Sequence, residues 1–545
     1  MKTINKMSLK IVTIIMMFLC ISTGLISQPA QMWVNSYNGI NNTNDRAFRS
    51  VVDAAGNLYV LGTTFNAQTK DDIVLIKYNQ AGVQQWAKIY AGEVDADDMP
   101  EDIVIDAQGN VFCAVYNQSS VGQNPHRIIV LKYNPSGTLV WIFENTPIDN
   151  YKIPTCLTVA NDGYIYVAGK FLNGNQIQPY FVKINPNGTL NNLGYLPFTA
   201  DNYSSFFDII ADNFGNVYLT GSYKNNIVTC KFNTACDTVW TRSYKGTANG
   251  IIAGDKICFD ESFNILVGGS VMNTGTSYDF CVIKYNNFGV QQWVRTYNGS
   301  GSGADILKDM VVGSDGSVYL TGRVYNGVAG NDIATCRINQ AGNLFWTNLY
   351  NGAGNGNDWA SSIALDNAGA LYVGGTSNEG SNGTDYTVIK YSTLLGNMHW
   401  AAHYSLSTSD TLTSMVLDNN YNVLISGHHK RFLNSDRDFG IYKLGSTIGI
   451  QQMSNEIPAQ FELYQNYPNP FNPTTNIKLQ IPESGLVKLV VFDVTGREVA
   501  ELVNETLGAG EYKVDFNASG LTSGVYFYRL EAEGFSEIKK MILVK

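Results

Sequence analysis

Most of the chain consists of short apolar stretches of about four to seven residues, separated by clusters of Gly, Asn, Asp and Ser. One series runs SVVDAAG (50–56), NLYVLG (57–62), DIVLIKYN (72–79) and VQQWAKIYAG (83–92). Each stretch has the length and the β-branched or aromatic content of a strand, and the series lacks the 3.6-residue period of a helix. The pattern therefore predicts an all-β chain built from units of four strands.

The units recur along the chain. Tyr78 to Gly92 reads YNQAGVQQWAKIYAG, and residues 285–299 read YNNFGVQQWVRTYNG. Trp recurs every 53 to 55 residues, apart from one double-length gap near Leu193, at positions 33, 86, 141, 240, 293, 346 and 400. A fixed period of this length indicates a repeat architecture, and four strands per repeat favour the blades of a β-propeller. The Trp side chains are expected to pack one blade on the next.

Eight first-strand stretches can be counted, around Asp53, Asp106, Ala160, Asp212, Asp260, Gly313, Asp366 and Asp418. The series starts with a fourth-strand unit, MWVNSYNG (32–39), and its eighth repeat stops after a third strand, DFGIYKL (438–444). Closure of a propeller protects the strand edges. We therefore predict an eight-bladed ring in which the N-terminal strand completes the last blade.

A Gly follows the first strand in six repeats, where it supplies the left-handed residue of a short hairpin, at positions 56, 109, 163, 215, 316 and 369. Phe263 and Tyr421 occupy this position in the other two repeats. We expect those two turns to adopt a different conformation.

Two patterns carry a family resemblance: D-x-x-G-N-x-Y-V-x-G at 53–62 and K-Y-N-x-x-G-x-x-x-W at 77–86. With these patterns, residues 32–446 resemble the bacterial SBBP-type β-propeller repeat family. The family name implies seven blades, so seven remains the alternative to the eight counted. We assign residues 28–445 to the propeller.

The composition changes after Leu444. Residues 446–460 are polar and predict a linker, whereas 461–545 alternate strand and turn signals and predict a small Ig-like β-sandwich of about seven strands. This tail carries YPNPF (467–471), GLVKL (485–489), DVTGREV (493–499), GEY (510–512), SGVYFY (523–528) and KMILVK (540–545). With these motifs it resembles the type A C-terminal sorting domain of the type IX secretion system.

That resemblance implies passage across the outer membrane of a Gram-negative bacterium. It implies recognition by the type IX translocon and sorting machinery, removal of the tail, and a passenger that is surface-attached or released. An adhesive Ig-like module is the alternative for the tail. At the other end, Lys2, Lys6 and Lys10 precede an apolar run at 11–21, which predicts an export signal over residues 1–27. A retained membrane anchor is the alternative, and no other stretch is long enough to cross a membrane.

Composition narrows the function classes. Charged residues make up 15% of the chain and the net charge is −10, which argues against a nucleic-acid partner. No CxxC pair occurs, so no zinc ribbon is implied. Seven Cys remain after Cys20 leaves with the signal, and most are expected to be small buried hydrophobic residues. A hairpin disulfide between Cys230 and Cys236 is an open alternative.

Several residues are candidates for a binding site. An aligned Asp stands eight residues before the end of the first strand in five repeats, on the loop that enters this strand, at Asp45, Asp98, Asp305, Asp358 and Asp410. These residues either ring one mouth of the channel as a cation or ligand site, or form Asx-type turns with local backbone. Asp95, Asp97 and Asp98 form an oxygen-rich loop that suits Ca²⁺, the single cofactor considered, although the loop lacks the EF-hand pattern. Trp359 lies off the Trp period beside this mouth and is a candidate ligand contact.

A basic residue stands in the third strand of every repeat, at Lys77, Lys132, Lys183, Lys231, Lys284, Arg337, Lys390 and Lys443. These eight cations either attract an anionic glycan or cover the blade interfaces with their stems. His428 and His429 are a possible metal pair, or exposed histidines on a loop. No P-loop, G-x-S-x-G or H-E-x-x-H motif occurs.

The shared parts of the repeats look structural and the differences fall in loops, which is typical of a binding scaffold. We therefore predict a secreted or surface-displayed binding protein for an unknown protein or glycan. The alternative is an extracellular carbohydrate-active or quinoprotein-like enzyme. Two carboxylates within reaction distance at one mouth would favour the enzyme, and a mouth without convergent acids would favour binding.

Overall fold

The structure is a computed structural model. It describes residues 29, 31–39, 44–92, 96–119, 127–145, 151–173, 176–196, 204–250, 252–327, 330–366, 369–380, 383–431, 436–445, 450–454, 457–518 and 521–544. The chain separates into one compact unit over Gln28–Gly449 and a second that contains Ile450–Lys545. The predicted export signal lies outside the described residues. No helix with the length and apolarity needed to cross a membrane occurs within these ranges.

The described part of the larger unit forms eight antiparallel sheets of four strands each. The first strands are β2 (Asp45–Val52), β6 (Ala96–Ile105), β10 (Tyr151–Val159), β14 (Ser205–Ala211), β18 (Ala253–Phe259), β22 (Ile306–Val312), β26 (Trp359–Leu365) and β30 (Asp410–Leu417). The second strands are β3 (Leu58–Asn66), β7 (Val111–Ser119), β11 (Ile165–Asn173), β15 (Val217–Tyr223), β19 (Ile265–Asn273), β23 (Val318–Tyr325), β27 (Ala370–Asn378) and β31 (Val423–Lys430).

The third strands are β4 (Lys70–Tyr78), β8 (Arg127–Tyr133), β12 (Gln176–Ile184), β16 (Asn226–Phe232), β20 (Ser277–Tyr285), β24 (Asn331–Ile338), β28 (Thr384–Ser392) and β32 (Arg437–Leu444). The fourth strands are β5 (Gln84–Tyr90), β9 (Leu139–Asn145), β13 (Leu190–Tyr195), β17 (Thr238–Tyr244), β21 (Gln291–Tyr297), β25 (Leu344–Tyr350), β29 (Met398–Tyr404) and, for the last sheet, β1 (Gln31–Tyr37).

The sheets follow one another in a ring. Each first strand lies beside the first strand of the next sheet, and β30 lies beside β2. The first strands therefore surround a central channel, and the unit is a β-propeller. The predicted closure is present, because β1 pairs antiparallel with β32 and places Trp33 opposite Lys443 and Tyr37 opposite Phe439.

Every first strand carries one irregularity where it pairs with the second strand. In β2 the pairing shifts between Ala47 and Arg49, and in β6 it shifts between Pro100 and Asp102. A bulge adds one residue to a strand and re-aims the neighbouring side chains. Corresponding shifts occur in β10, β14, β18, β22, β26 and β30. The bulges determine which side chains face the channel.

The two turns that lack Gly correct one prediction. Phe263 and Tyr421 have φ angles of 56° and 58°, in the same left-handed region as Gly56 with 75°. The amide of Phe263 donates to the Asp260 carbonyl at 2.9 Å, and the amide of Tyr421 donates to the Asp418 carbonyl at 2.8 Å. The expectation of a different turn is therefore wrong, because the hairpin hydrogen bond imposes the left-handed conformation on a bulky residue as well.

The outer edge of the ring is held by the periodic Trp residues. Trp293 on β21 donates from Nε1 to the Gln340 carbonyl of the next sheet at 3.1 Å. A Cβ on Gly342, in that next sheet, would lie 2.7 Å from the Trp293 ring. The indole therefore packs directly on the backbone of the neighbouring hairpin, as the blade-packing interpretation predicts.

The smaller unit contains β33 (Ile450–Ser454), β34 (Glu462–Leu463), β35 (Thr474–Ile481), β36 (Gly485–Asp493), β37 (Glu498–Leu507), β38 (Gly510–Asn517), β39 (Gly524–Ala532) and β40 (Phe535–Leu543). They form two sheets, in the orders β33-β38-β35-β34 and β37-β36-β39-β40. Buried residues of both sheets, including Ile477, Val514, Leu489 and Tyr528, share one hydrophobic core. The predicted linker differs from the structure, because its residues 450–454 form β33 and pair with β38.

The YPNPF motif attaches the last strand to the rest of this unit. Asn469 Oδ1 accepts a hydrogen bond from the Ile542 amide at 2.9 Å, and the Phe471 amide donates to the Ile542 carbonyl at 2.9 Å. The Phe471 side chain is buried in the shared core. The motif thus has a structural role in holding β40.

Candidate functional site

A cavity of about 530 Å³ opens where the first strands begin. It is lined from five consecutive sheets, through β30, β2, β6, β26 and the β22–β23 pair. Its polar and aromatic lining includes Arg49, Glu101, Lys308, Arg323, Trp359 and Thr411, and we call it the mouth cavity. This size lies within the range of small-molecule sites in proteins.

The bulges explain why these side chains meet. The residue three positions after the aligned Asp is the bulge residue, and the one after it follows the shift in pairing. These two positions are Phe48 and Arg49 in β2, and Lys308 and Asp309 in β22. The bulge residues of β2, β6, β22, β26 and β30 all line the mouth cavity, namely Phe48, Glu101, Lys308, Ser361 and Thr413.

In three first strands, the Asp that follows the bulge residue links its sheet to the next sheet. Asp102 accepts a hydrogen bond from the Leu157 amide at 2.8 Å, Asp208 accepts from the Ile257 amide at 2.9 Å, and Asp309 accepts from the Ile363 amide at 3.0 Å. Each of these contacts crosses to the following sheet. The three carboxylates are therefore engaged in holding the inner wall of the ring.

The basic residues of the mouth cavity are not engaged in this way. Within the described residues, the side chains of Arg49, Lys308 and Arg323 form no hydrogen bond and no ion pair, whereas Lys256 pairs with Asp309 at 3.4 Å. The tip of Lys308 reaches the solvent of the channel, but protein surrounds most of the side chain. Burial, with repulsion from Arg49 and Lys256, lowers the pKa of Lys308.

Glu101 is the single carboxylate among the residues that line the mouth cavity. Burial raises the pKa of the Glu101 carboxyl to about 7, and the opposing attraction of Arg49 only partly offsets it. A carboxyl with this pKa is partly protonated near neutral pH. The cavity therefore carries a net positive charge in a protein whose formal net charge is −10.

The five aligned Asp residues lie beside the mouth cavity rather than on its wall. All are buried, and they accept backbone hydrogen bonds from the loop that enters their own first strand. These bonds run from Gly39 to Asp45 (2.7 Å), from Gly92 to Asp98 (2.7 Å), from Gly299 to Asp305 (2.6 Å), from Gly352 to Asp358 (2.8 Å) and from Leu406 to Asp410 (3.0 Å). Burial raises the pKa of Asp98 and of Asp358 to about 6. This placement fits turn-forming residues.

The candidate Ca²⁺ loop is only partly described. Asp95 lies outside the described residues, and Asp97 and Asp98 lie within β6. Asp97 accepts a long hydrogen bond of 3.5 Å from the Asp71 amide. No group of three or more His, Cys, Asp or Glu suited to a metal ion occurs in the described part of the chain.

Trp359 is the predicted candidate that the structure places in the mouth cavity. It begins β26, is half-buried, and pairs through its backbone with Thr376. Its Nε1 donates no hydrogen bond to any described residue. The indole therefore offers both a ring face and a free donor to the cavity.

The basic residues of the third strands find partners at the interfaces between sheets or within their own sheet. Lys183 Nζ donates to the Thr234 carbonyl of the next sheet at 2.7 Å, and Arg337 donates to the Thr393 carbonyl of the next sheet at 2.8 Å. Lys284 pairs with Asp260 of its own sheet at 2.8 Å. These contacts agree with the interpretation in which the stems cover an interface and the heads find a local partner.

The candidate His and Cys residues lie within the fold and not in the mouth cavity. His428 and His429 lie within β31 and not on a loop, so the interpretation as loop histidines is wrong. Burial lowers the pKa of His428 to about 4. Cys230 and Cys236 are both buried and carry free thiols.

Sequence reasoning did not single out Arg49, Glu101, Lys308 or Arg323. A signal was available, because the positions three and four residues after the aligned Asp differ in charge from repeat to repeat. The features that the repeats share are the structural ones. The residues that distinguish the copies line the cavity.

Two family comparisons match parts of the chain. Residues 465–545 match the secretion system C-terminal sorting domain, and residues 160–192 match a β-propeller domain of unknown function, DUF5122. No curated protein matches the chain.

Solved structures resemble the chain weakly. A fungal alcohol oxidase of the AA5 family in complex with copper is 12% identical with a TM-score of 0.43, covering 95% of this chain and 100% of its own. The polysaccharide lyase Uly1 is 10% identical with a TM-score of 0.41, covering 66% of this chain and 92% of its own. The calcium-binding protein regucalcin from Agrobacterium tumefaciens is 11% identical with a TM-score of 0.30, covering 52% of this chain and 83% of its own.

Likeness at this level says nothing about activity. The sorting-domain match is different in kind, because it covers nearly all of the smaller unit and each motif quoted for it. Residues 465–545 belong to the secretion system C-terminal sorting domain family, and the chain is a β-propeller protein that is secreted or attached to the outer cell surface.

Proposed function

We propose that the protein is an exported binding protein whose propeller takes its ligand in the mouth cavity. One observation carries this proposal: the side chains of Arg49, Lys308 and Arg323 line a concave site without a hydrogen-bond or ion-pair partner in the described structure. Lys308 and Arg323 are exposed and Arg49 is half-buried, so that a ligand in the cavity can reach all three charges. The residues that the repeats share, by contrast, are used to hold the sheets together.

The acid content of the mouth cavity supports binding over glycoside hydrolysis. Hydrolysis of a glycosidic bond ordinarily needs two carboxyl groups on either side of the bond. Glu101 is the one carboxylate that lines the cavity, and the nearby Asp102 and Asp309 are engaged with backbone amides. Asp255 also attracts Lys308 but lies outside the lining of the cavity. An extracellular enzyme remains the second candidate, and turnover is measured in the same experiment.

We infer the following arrangement for export. Residues 1–27 serve as the export signal, and the sorting domain is recognised by the type IX translocon and its sorting machinery. The eight sheets count as eight blades, and the two sheets of the smaller unit as an Ig-like sandwich. The proposal is supported by the closed order of the sheets and by the shared core of the smaller unit.

The test screens the purified protein on an array of bacterial and plant glycans and on surface protein extracts, with a parallel assay for release of sugar ends. A Thr411→Trp variant fills the mouth cavity, because the Thr411 side chain lines it and forms no hydrogen bond in the described structure. We expect the parent to bind a subset of ligands without turnover and the variant to lose that binding by at least about tenfold.

The control is Thr296→Trp, which adds the same ring to an exposed position of β21. It should bind as the parent does. Binding that Thr411→Trp leaves unchanged would locate the function elsewhere. Sugar release that Thr411→Trp abolishes would replace the binding role by the enzyme.

A further inference from the structure

Three basic side chains line the mouth cavity. Lys308 and Arg323 come from the paired strands β22 and β23, in which Ile306 lies opposite Arg323. Arg49 reaches the same cavity from β2. With Glu101 as the one acidic residue, the wall has more positive than negative groups, in a chain with 46 acidic and 36 basic residues. The lining of the mouth cavity is therefore positively charged, whereas the chain as a whole is negatively charged.

Acidic residues behind the mouth cavity offset part of this charge. Asp309 pairs with Lys256 at 3.4 Å and accepts the Ile363 amide, and Asp102 accepts the Leu157 amide. Lys308 experiences repulsion from Arg49 and Lys256 and attraction from Asp255 and Asp309. None of these acids lines the cavity, where the three basic side chains meet Glu101 alone. A negative group bound in the cavity therefore gains from positive charges that the lining itself does not balance.

The rest of the lining suits a sugar ring. Trp359 and Phe48 supply aromatic surface, and their ring faces can cover the apolar face of a pyranose. The Trp359 Nε1 and the Thr411 hydroxyl have no partner among the described residues and are available to ligand hydroxyls. Aromatic faces with few convergent polar groups are typical of a saccharide site.

We infer that the ligand of the mouth cavity is an anionic saccharide, in which a uronic acid carboxylate meets Arg49, Lys308 and Arg323 while the sugar ring stacks on Trp359. The inference rests on the proposed binding function and adds the chemical class of the ligand. Guanidinium groups bind carboxylates through paired hydrogen bonds, so Arg49 and Arg323 give directional recognition and Lys308 adds a point charge.

The experiment measures dissociation constants by titration calorimetry on the purified protein. The probes are trimers of galacturonate, glucuronate and mannuronate, each with its methyl ester, which keeps the ring and removes the charge. We expect at least one acid to bind about tenfold or more tightly than its ester, and to weaken as salt is added.

Three variants assign the binding to named side chains. Lys308→Gln and Arg323→Gln should each weaken the acid at least about tenfold and leave the ester unchanged. Trp359→Ala should weaken acid and ester alike. Lys88→Gln, on β5 and outside the mouth cavity, is the control and should bind as the parent does.

The outcomes separate the ligand class from the binding function. Equal affinity for acid and ester, with loss in Trp359→Ala, overturns the anionic class and leaves the cavity as a binding site. If no trimer binds but Thr411→Trp abolishes the binding of a ligand found on the array, the anionic class is likewise overturned and the cavity remains a binding site. If no ligand of any kind depends on the cavity, both proposals fall.

Discussion

The outer rim and the channel mouth of the propeller differ in how they use the repeat. At the rim the same contact recurs in six sheets, where an indole packs on the hairpin Gly of the next sheet: Trp33 on Gly82, Trp86 on Gly137, Trp141 on Gly188, Trp240 on Gly289, Trp293 on Gly342 and Trp346 on Gly396. At the mouth, equivalent positions carry Phe48, Glu101, Lys308, Ser361 and Thr413.

The difference separates stability from recognition. A contact that is repeated from sheet to sheet holds a ring of like units together, so similarity among the repeats is useful there. A ligand breaks that symmetry, because it occupies one place on the ring and needs different groups around it. In this protein the basic side chains that line the mouth cavity lie where the repeats differ.

The largest expected effect comes from breaking the ring itself. Deleting residues 31–39 removes β1 and exposes the edge of β32, where Phe439 and Ile441 are now fully buried. We expect a loss of stability of more than about 5 kcal/mol, comparable to the whole stability of many domains. Thermal unfolding followed by circular dichroism measures it.

The control for this deletion reinserts the same residues after Gly445, joined by a copy of residues 79–83, which form the hairpin loop between β4 and β5. This variant should recover most of the lost stability, because the strand can then pair with β32 in its original register. A deletion variant that melts at the temperature of the parent would mean that β1 is dispensable for the ring.

A smaller effect is expected at the rim. Gly342 has a φ of 83°, and a Cβ there would lie 2.7 Å from Trp293. In Gly342→Ala the new side chain stands on a left-handed backbone and also clashes with Trp293. We therefore expect the free energy of unfolding to fall by about 2–4 kcal/mol. Gly327 has a φ of 79° with no described atom within 4 Å of its Cβ position.

Gly327→Ala is therefore the matched control, which isolates the backbone cost of about 1 kcal/mol. Chemical denaturation of both variants gives the difference. If the two variants lose the same free energy, the Trp–Gly contact does not contribute to the rim.

The smallest expected effect is a pH dependence at the mouth. The Glu101 carboxyl has a folded pKa of about 7 and an ordinary value near 4.5, and the charged groups that act on it are Arg49, Asp102 and Lys170. Between these values the folded state holds a proton that the unfolded state releases. The stabilisation is complete below about pH 4.5 and is lost as the pH rises through 7.

Glu101→Gln has no charge to lose, so its melting temperature should match the parent at pH 4 and exceed it by about 1–3 °C at pH 8. Differential scanning calorimetry across this range measures the effect. Glu261→Gln, at an exposed hairpin, should follow the parent at every pH. A lower melting temperature for Glu101→Gln at pH 8 would show that the carboxylate is favourable when charged.

The propeller, its closing strand and the sorting domain were predictable because each leaves a periodic or ordered pattern in the sequence. The wall of the mouth cavity was not, because a bulge shifts the alternation of inward and outward side chains by one residue. A simple alternation therefore does not identify Lys308 as facing the channel. Likewise β33 carries no strand pattern, and its pairing with β38 depends on residues about sixty positions later.

The seam between β1 and β32 affects when the protein can finish folding. In the last sheet, the third strand β32 and the fourth strand β1 come from opposite ends of the propeller unit, so no tight hairpin joins them. Strands about 400 residues apart meet slowly, because a long loop must be closed first. The ring can be completed only after residue 444 is available, and the sorting domain follows it within a few residues. Any folding intermediate that lacks residues 438–444 therefore also lacks both the closed ring and the sorting domain.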